Sequence, residues 1–347
     1  MMPTMFSMAP AAPPPWPPWK RAVVTAGAGF LGSHLCERLL DAGVEVDCVD
    51  DLPAGSARAV EHLADSPGFR FLRRDISRPD CPGSLTGPYD LVLHLACPAS
   101  SGASSPRSPG ALDADASGTR TALAVAERDG ARFLLASTCH LHGDPLYSDP
   151  PHADPLHADP GDIPRAADPV PVGALAGHDA PERLSEALTA AYATSRQADA
   201  GIVRVFPAYG PRMGPRDGGG LIPAFIRQAL DGGPVTVPGD GSGTPSLCYV
   251  GDTVDGVLLV AASRSVRPVD IGGDPGATVE QIARRVIELT GSHARLRLTG
   301  ARADTPEPPR PETGFAHELY GWTPRVPWED GLKRTIASFL DRRENSS

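Results

Sequence analysis

Three glycines in a G-x-G-x-x-G pattern form the clearest chemical motif of the sequence. Gly27, Gly29 and Gly32 stand in the run VVTAGAGFLG, between an apolar segment and an amphipathic one. Glycine lets the backbone turn tightly and approach a pyrophosphate, whose charge is stabilised by the amino terminus of the following helix. The pattern therefore predicts a phosphate-binding turn, with Phe30 and Leu31 among its contacts.

An acidic residue, Asp50, ends the next apolar run at the distance expected for a carboxylate that binds a ribose diol. A carboxylate there disfavours a 2′-phosphate, so the predicted cofactor is NAD rather than NADP. Asp75 and Ile76 follow the third apolar run and are predicted to cover the adenine edge. Leu95 and Ala96, after the fourth run, are predicted to contact the same cofactor. The alternative is a glycine turn that only packs a strand on a helix.

Other residue types that could perform chemistry lie close together in the sequence. Cys139 and His140 could serve as nucleophile and base, but adjacent residues at a strand end point in opposite directions. A buried, inert thiol is therefore the favoured interpretation of Cys139. The segment 144–172 repeats His-Ala-Asp-Pro at His152 and His157, and its prolines favour a surface insertion over a metal site.

Short apolar runs alternate with amphipathic stretches up to residue 206. The predicted strands are Arg21–Thr25, Val44–Val49, Phe69–Leu72, Leu91–Leu95, Arg132–Ala136 and Gly201–Phe206. The predicted helices are Leu31–Ala42, Arg58–Ala64, Ala111–Arg128 and Ala180–Thr194. This alternation predicts an α/β fold of the Rossmann type, a doubly wound parallel sheet with right-handed crossovers. Ligands are expected at the carboxyl ends of its strands.

A change in composition and in the strand–helix alternation divides the chain into regions. Residues 20–206 are assigned to the nucleotide-binding domain, with a returning segment near 246–264. Glycine and proline become dense after residue 206, so 207–245 and 265–340 are assigned to a smaller carboxyl-terminal substrate lobe. Residues 1–19 are rich in Met, Ala and Pro and are expected to form a flexible Pro-rich tail. They lack the unbroken apolar core expected of a signal peptide.

Composition narrows the classes of partner. The net charge of −10 argues against a broad nucleic-acid or anionic-membrane surface, which requires clustered Lys and Arg. No stretch of the sequence is long and apolar enough to span a bilayer. The six cysteines form no C-x-x-C pair, which favours reduced thiols in a cytoplasmic protein.

Several motifs together resemble the extended short-chain dehydrogenase/reductases that act on nucleotide sugars, and the UDP-glucuronate decarboxylases in particular. The matching runs are TAGAGFLGSHL (25–35), VDDLPAGS (49–56), LHLACPAS (93–100), ARFLLAST (131–138), GDP (143–145), RVFPAYGPRM (204–213), YVGDTV (249–254) and GWTPRVPWEDGL (321–332). The resemblance implies tightly held NAD, transient oxidation at sugar C4, loss of carbon dioxide and reduction of the ketone. It also implies a homodimer formed through the helices near 111–128 and 180–196.

The resemblance also implies a Tyr-x-x-x-Lys pair for proton transfer and a Ser or Thr that binds the reacting oxygen. Thr138 occupies the Ser/Thr position, but His178 stands at the tyrosine position and Glu182 at the lysine position. A tyrosinate beside Lys⁺ is a base stabilised by a cation, whereas a histidine beside a carboxylate is biased towards imidazolium, a poor base. Glu182 also fits a capping box with Asp179, which is its favoured role. His140 stands where the family has a glutamate.

Further departures concern the substrate. Pro207 and Pro245 stand where the family has an asparagine and an arginine. Arg212 and Arg310 remain, the latter where the family clamps phosphate. Together with Tyr249 they are the predicted contacts for a nucleotide or nucleotide sugar.

Three hypotheses follow from this mixture of retained and replaced residues. The favoured one is a nucleotide-sugar enzyme whose acid–base duty has moved to Thr138, His178 or His140. The second is a divergent enzyme that performs a non-redox step on another substrate. The third is a catalytically inactive nucleotide-binding protein that pairs with an active relative.

Overall fold

The computed structural model of the protein describes eight stretches of the chain. They are residues 19–52, 57–95, 109–139, 180–196, 198–214, 220–274, 276–300 and 310–344, with side chains described throughout except at 109–112, 180–181 and 344. Several sequence predictions lie outside the described residues, namely those for Ala96, His140, His178, Asp179, the tail before residue 19 and the 144–172 insertion.

The described residues form eleven strands, most of them buried. They are β1 (Arg21–Thr25), β2 (Glu45–Asp50), β3 (Phe69–Arg73), β4 (Leu91–His94), β5 (Arg132–Thr138), β6 (Ala200–Val205), β7 (Ala208–Tyr209), β8 (Val235–Val237), β9 (Cys248–Tyr249), β10 (Val269–Ile271) and β11 (Leu296–Leu298). Seven of them form one parallel sheet in the order β10-β6-β5-β4-β1-β2-β3. The order reverses between β1 and β4, which is where a doubly wound sheet opens a ligand-binding crevice. The predicted Rossmann-type fold is confirmed.

Nine α-helices lie in the described part of the chain. They are α1 (Phe30–Asp41), α2 (Cys81–Ser84), α3 (Pro109–Asp129), α4 (Ala180–Ser195), α5 (Leu221–Leu230), α6 (Val250–Ala262), α7 (Val279–Leu289), α8 (Gly314–Tyr320) and α9 (Trp328–Glu344). The predicted helix Arg58–Ala64 is wrong, because that segment forms two 3₁₀ turns, Ala57–Ala59 and Glu61–Leu63. Seven residues are too few for a helix that nucleates easily, and short 3₁₀ turns are common in such connections.

The main sheet is buried on both faces, and alternate residues of each strand face opposite sides. On one face Val24 packs with Leu35 of α1 and Val257 of α6. On the other face Val23 packs with Leu123 of α3. This two-sided burial explains why the strands read as continuous apolar runs in the sequence.

The chain after residue 206 contributes to two bodies. The strand β10 pairs with β6 at the edge of the main sheet, and α6 packs against β5, β6 and β10. A third apolar cluster, formed by α5, α7, α9 and β8, makes the core of a smaller lobe. Phe30 and Tyr249 contact both this cluster and that of the sheet, so they lie at the junction of the two bodies. None of the described helices has the length and apolar composition needed to cross a membrane.

Candidate functional site

The glycine turn joins β1 to the amino terminus of α1. Ala26 adopts a left-handed backbone with φ of 49°, and its carbonyl accepts the N–H of Gly29 at 3.1 Å. Gly29 is the N-cap of α1 and no side chain caps it. A Cβ atom on Gly32 would lie 2.4 Å from the Ala26 carbonyl oxygen, so only glycine lets the helix pack this closely on the turn. The uncapped amide groups at this end of α1 form a suitable site for a phosphate.

Asp50 lies at the carboxyl end of β2, directly beside the turn. Its carboxylate accepts the N–H of Ala28 at 3.0 Å and that of Leu52 at 2.7 Å, and its residue surface is 6% exposed. Burial raises the pKa of the Asp50 carboxyl above its usual value, while the two amide donors act to lower it. These bonds fix the carboxylate against the turn, at the position expected for a ribose contact.

The neighbouring strand ends bring further predicted residues to the same edge of the sheet. Directly after β3, Oδ1 of Asp75 accepts the N–H and the hydroxyl of Ser77, at 2.9 and 2.6 Å. Ile76 packs against the apolar cluster on the α3 side. After β4, the N–H of Leu95 donates to the Thr25 hydroxyl at 3.2 Å. Because parallel strands end at a common edge, all of these groups flank one crevice.

Two hydroxyl groups at the end of β5 form no hydrogen bond with any of the described residues. Ser137 Oγ and Thr138 Oγ1 are both buried and have no hydrogen-bond partner there. Buried hydroxyls without partners are rare in folded proteins, so each requires a structural explanation. Cys139 follows directly and its thiol-bearing side chain is buried. Thr138 is thus suited to bind an oxygen atom of a ligand at the carboxyl edge.

Helix α4 packs against the sheet with a buried polar face. Glu182 lies in its first turn and is 6% exposed. One turn later, Glu186 forms a bidentate ion pair with Arg204 of β6, with Nε–Oε1 at 3.0 Å and Nη2–Oε2 at 2.9 Å. The capping role proposed for Glu182 stays a prediction.

Arg212 follows β7 and is held by residues of α1 and of the segment after β2. Its guanidinium donates to Oε2 of Glu37 at 2.6 Å and also contacts His34 and His62. Its backbone is left-handed, with φ of 67°, which is a strained conformation for a residue with a Cβ. Burial and the Arg212 charge lower the pKa of His34 to about 4. The Arg212 charge is therefore paired with Glu37 in this structure, a contact that the sequence did not suggest.

The other two predicted substrate contacts lie near the carboxyl end of the sheet. Tyr249 stacks edge-to-face on Tyr209, with ring centroids 5.9 Å apart, and the Arg334 guanidinium lies 5.4 Å from the Tyr249 centroid. Arg310 is exposed and precedes a segment tied to β10, where the N–H of Glu312 donates to Asp270 at 3.0 Å.

A small cavity lies beside Tyr209 in the smaller lobe. The lining residues include Tyr209, Pro245, Asp274, Ile282 and Trp328. Pro245 is the residue for which the resemblance predicts an arginine, and Asp274 is the one carboxylate among the lining residues. The cavity wall is therefore apolar with one acidic residue.

Sequence reasoning missed one buried residue at this edge, His94. It is fully buried at the end of β4, between the hydroxyls of Thr25 and Thr119. A histidine inside the apolar run Leu91–Leu95 was the signal that could have drawn attention to it. The partners could not be inferred, because they are distant in sequence.

Comparison with known proteins agrees with this geometry. The profile of the NAD dependent epimerase/dehydratase family matches residues 22–272. The chain belongs to this family. Among family members, UDP-glucuronic acid decarboxylase 1 of Xenopus tropicalis is 34% identical over 328 residues, which cover 94% of this chain and 74% of the relative.

Two solved structures of the same family have closely similar folds. UDP-glucose 4-epimerase of Thermotoga maritima, solved with UDP-glucose, has a TM-score of 0.74 and 26% identity, covering 93% of this chain and 99% of that one. UDP-glucose 4-epimerase of Thermus thermophilus, solved with NAD, has a TM-score of 0.72 and 25% identity, covering 92% and 99% respectively. The fold and the family are thus shown, whereas the roles of individual residues rest on the geometry above.

Proposed function

We propose that the protein binds NAD and modifies a nucleotide sugar, with an acid–base apparatus that differs from that of its relatives. The observation that carries the proposal is the combination, at one edge of the sheet, of the uncapped glycine turn with the buried carboxylate of Asp50. A Cβ at Gly32 would meet the Ala26 carbonyl oxygen, so this glycine lets α1 pack closely on the turn, as the third glycine of a dinucleotide-binding fingerprint does.

The residues present fit the parts of the cofactor. The amide groups at the start of α1 would hold the pyrophosphate, and Asp50 would accept hydrogen bonds from the adenosine ribose. Leu95 and Ile76 would line the adenine and ribose walls. When bound, NAD supplies a hydride acceptor and donor. The T. thermophilus relative solved with NAD supports this assignment.

The substrate assignment rests on relatives and on Thr138. The X. tropicalis relative is named for UDP-glucuronic acid, and the T. maritima structure contains UDP-glucose. Thr138 would orient the reacting sugar hydroxyl, because its own hydroxyl has no partner among the described residues. Proton transfer is assigned to His178 or His140, with Arg310 and Tyr249 as candidate contacts of the nucleotide.

A specific observation favours a second candidate function, which is nucleotide binding without turnover. Glu182 is buried, and the resemblance predicts a lysine at this position in the relatives. A buried carboxylate at this position would favour the imidazolium form of a neighbouring histidine, which cannot take a proton from an alcohol. In this candidate the protein pairs with an active relative.

Either function is compatible with a homodimer through α3 and α4. These helices pack on each other, and Leu184 on α4 is 43% exposed. A second copy would cover this apolar side chain.

The test starts with the purified protein. Denaturation should release NAD, which chromatography of the supernatant detects. If no NAD is released, and if adding NAD does not raise the melting temperature, both candidates are ruled out. UDP-glucuronate is then added while absorbance at the NADH band and carbon dioxide release are followed. Turnover supports the first candidate, and bound NAD without turnover supports the second. A preference of free protein for NADP over NAD would contradict the role of Asp50.

A further inference from the structure

Four buried side chains from four different elements form one hydrogen-bonded chain. They are Thr25 at the end of β1, His94 on β4, Thr119 on α3 and Ser185 on α4, and none is more than 7% exposed. The Thr25 hydroxyl lies 2.8 Å from His94 Nδ1, and Thr119 Oγ1 lies 3.2 Å from His94 Nε2 and 2.9 Å from Ser185 Oγ. The chain thus crosses from the sheet through α3 to α4.

The hydrogen atoms of this chain follow from its donors and acceptors. The Thr119 hydroxyl donates to the Asp115 carbonyl at 3.0 Å, so it must accept from His94 Nε2. The Thr25 hydroxyl accepts the Leu95 N–H and has its own hydrogen left for His94 Nδ1. Since each hydroxyl carries a single hydrogen, the arrangement favours a neutral ring with its proton on Nε2. Burial also lowers the pKa of His94 to about 4, which agrees with a neutral ring.

The two ends of the chain lie beside different parts of the candidate site. Thr25 directly precedes the glycine turn and fixes the amide of Leu95. Ser185 lies three residues after Glu182 on α4, and its carbonyl accepts the Thr189 hydroxyl at 2.8 Å. Buried polar chains have strict geometric demands, because a broken bond leaves an unsatisfied group with no access to water. A shift of α4 is therefore transmitted to the edge that carries the turn.

We propose that His94 is a positioning residue, which in its neutral Nε2–H form holds the nucleotide-binding edge of the sheet in register with helix α4. Its functional consequence rests on the proposed binding of NAD. Its structural part, the fixed tautomer and the coupling between Thr25 and Ser185, does not depend on that function.

The first test is nuclear magnetic resonance of the NAD-free protein with ¹⁵N-labelled histidine, in which the His94 signal is assigned by its loss in His94→Asn. We expect one bare and one protonated ring nitrogen, with the proton on Nε2, unchanged over about pH 5–8, where ordinary histidines titrate. A proton on Nδ1, or a ring protonated on both nitrogens near neutral pH, would overturn the assignment.

The second test is a double-mutant cycle between the two ends of the chain, which keeps the His94 ring in place. Thr25→Val, Ser185→Ala and the double variant are compared in NAD affinity by calorimetry. We expect each single change to weaken NAD binding, Thr25→Val by about tenfold. The loss of NAD affinity in the double variant should be at least about threefold smaller than the product of the two single losses. If the loss of NAD affinity in the double variant equals the product of the two single losses, Thr25 and Ser185 are not coupled.

A matched control separates positioning from general packing. Thr335 on α9 is fully buried and donates to the Gly331 carbonyl at 2.7 Å, so Thr335→Val removes a comparable hydroxyl outside the chain. It should leave NAD affinity unchanged and combine with Thr25→Val multiplicatively. If Thr335→Val weakens NAD binding as much as Thr25→Val does, the His94 chain has no special role. If the wild type binds no NAD, the proposed function fails. The coupling is then tested by the same double-mutant cycle, with the free energy of unfolding in urea as the measured quantity.

Discussion

Arg204 and Glu186 form a buried, bidentate ion pair between β6 and α4, with their side chains 10% and 4% exposed. The pair ties helix α4, which carries position 182, to β6, the strand that precedes the smaller lobe. A buried charge left without its partner is strongly unfavourable, because the remaining group cannot recover its hydration.

Glu186→Ala is therefore expected to lower the free energy of unfolding by about 3–5 kcal/mol, measured by urea denaturation. The exposed pair of Arg196 and Glu127, with Nη1–Oε2 at 2.8 Å, provides the control. Glu127→Ala should cost less than about 1 kcal/mol, because solvent screens that pair. Equal losses in the two variants would show that the Arg204 pair is not a buried determinant of stability.

Gly32→Ala is expected to weaken NAD binding by at least about tenfold and to destabilise the fold by about 1–3 kcal/mol. The added Cβ would lie 2.4 Å from the Ala26 carbonyl oxygen and 2.7 Å from Gly27 Cα, so the turn must move away from α1. Calorimetry with NAD and urea denaturation measure the two effects.

The control for this substitution is Gly83→Ala, since a Cβ at Gly83 meets nothing within 4 Å. Alanine is also the better helix former, so no loss of stability is expected there. Wild-type affinity in Gly32→Ala would show that the turn does not approach the cofactor.

Two histidines with lowered pKa values, the half-buried His34 and the buried His94, are expected to make the protein less stable in mild acid. The pKa of His34 is lowered to about 4 by burial and by Arg212, and that of His94 is lowered to about 4 by burial. Between about pH 6.5 and pH 4 the unfolded chain therefore binds more protons than the native one. Stability should fall as pH decreases through this window, by up to about 1.4 kcal/mol per pH unit for each histidine.

Urea denaturation at several pH values measures this slope. His94→Asn should reduce the number of protons taken up on unfolding, which this slope measures, by up to one. The variant should also be less stable than the wild type at neutral pH. A slope that is unchanged in this variant would contradict the neutral state of His94 in the native protein.

The pair of substitutions His178→Tyr and Glu182→Lys tests whether the replaced positions explain the chemistry. If the wild type turns over UDP-glucuronate slowly or not at all, the double variant is expected to release carbon dioxide at least about a hundredfold faster, in line with the usual contribution of acid–base catalysis. Each single variant should gain little, because a tyrosine without the lysine is not activated and the lysine alone supplies no base.

Glu318→Lys makes the same change of charge on the exposed face of α8 and should have no effect on turnover. A fully active wild type whose rate falls in the double variant would instead show that His178 and Glu182 already perform the acid–base step.

The local parts of the fold and site were predictable from sequence, and the long-range parts were not. The strand Arg21–Thr25 was predicted with its observed bounds, because it is an apolar run buried on both faces. The glycine turn and Asp50 were predictable because their spacing along the chain determines their geometry. The segment Arg58–Ala64 was wrongly predicted to be a helix, because its pattern fits either a helix or successive 3₁₀ turns.

The contacts of His94 and Arg212 had no local signal. Thr25 and His94 are 69 residues apart, and Arg212 and Glu37 are 175 residues apart. Such pairs depend on which strands become neighbours and on how the smaller lobe folds back over α1. The resemblance predicts Arg212 as a nucleotide contact, which stays a prediction, and its ion pair with Glu37 could not be inferred from the sequence.

The position of β10 has a consequence for dissecting the protein. Within the described chain this strand protects the backbone of β6, and the Phe206 N–H donates to the Ile271 carbonyl at 2.9 Å. A fragment cut after residue 206 would keep the glycine turn and Asp50 but expose the N–H and C=O groups of β6 along an unprotected edge. Such an edge invites pairing between copies, so the nucleotide-binding half is expected to aggregate when produced alone.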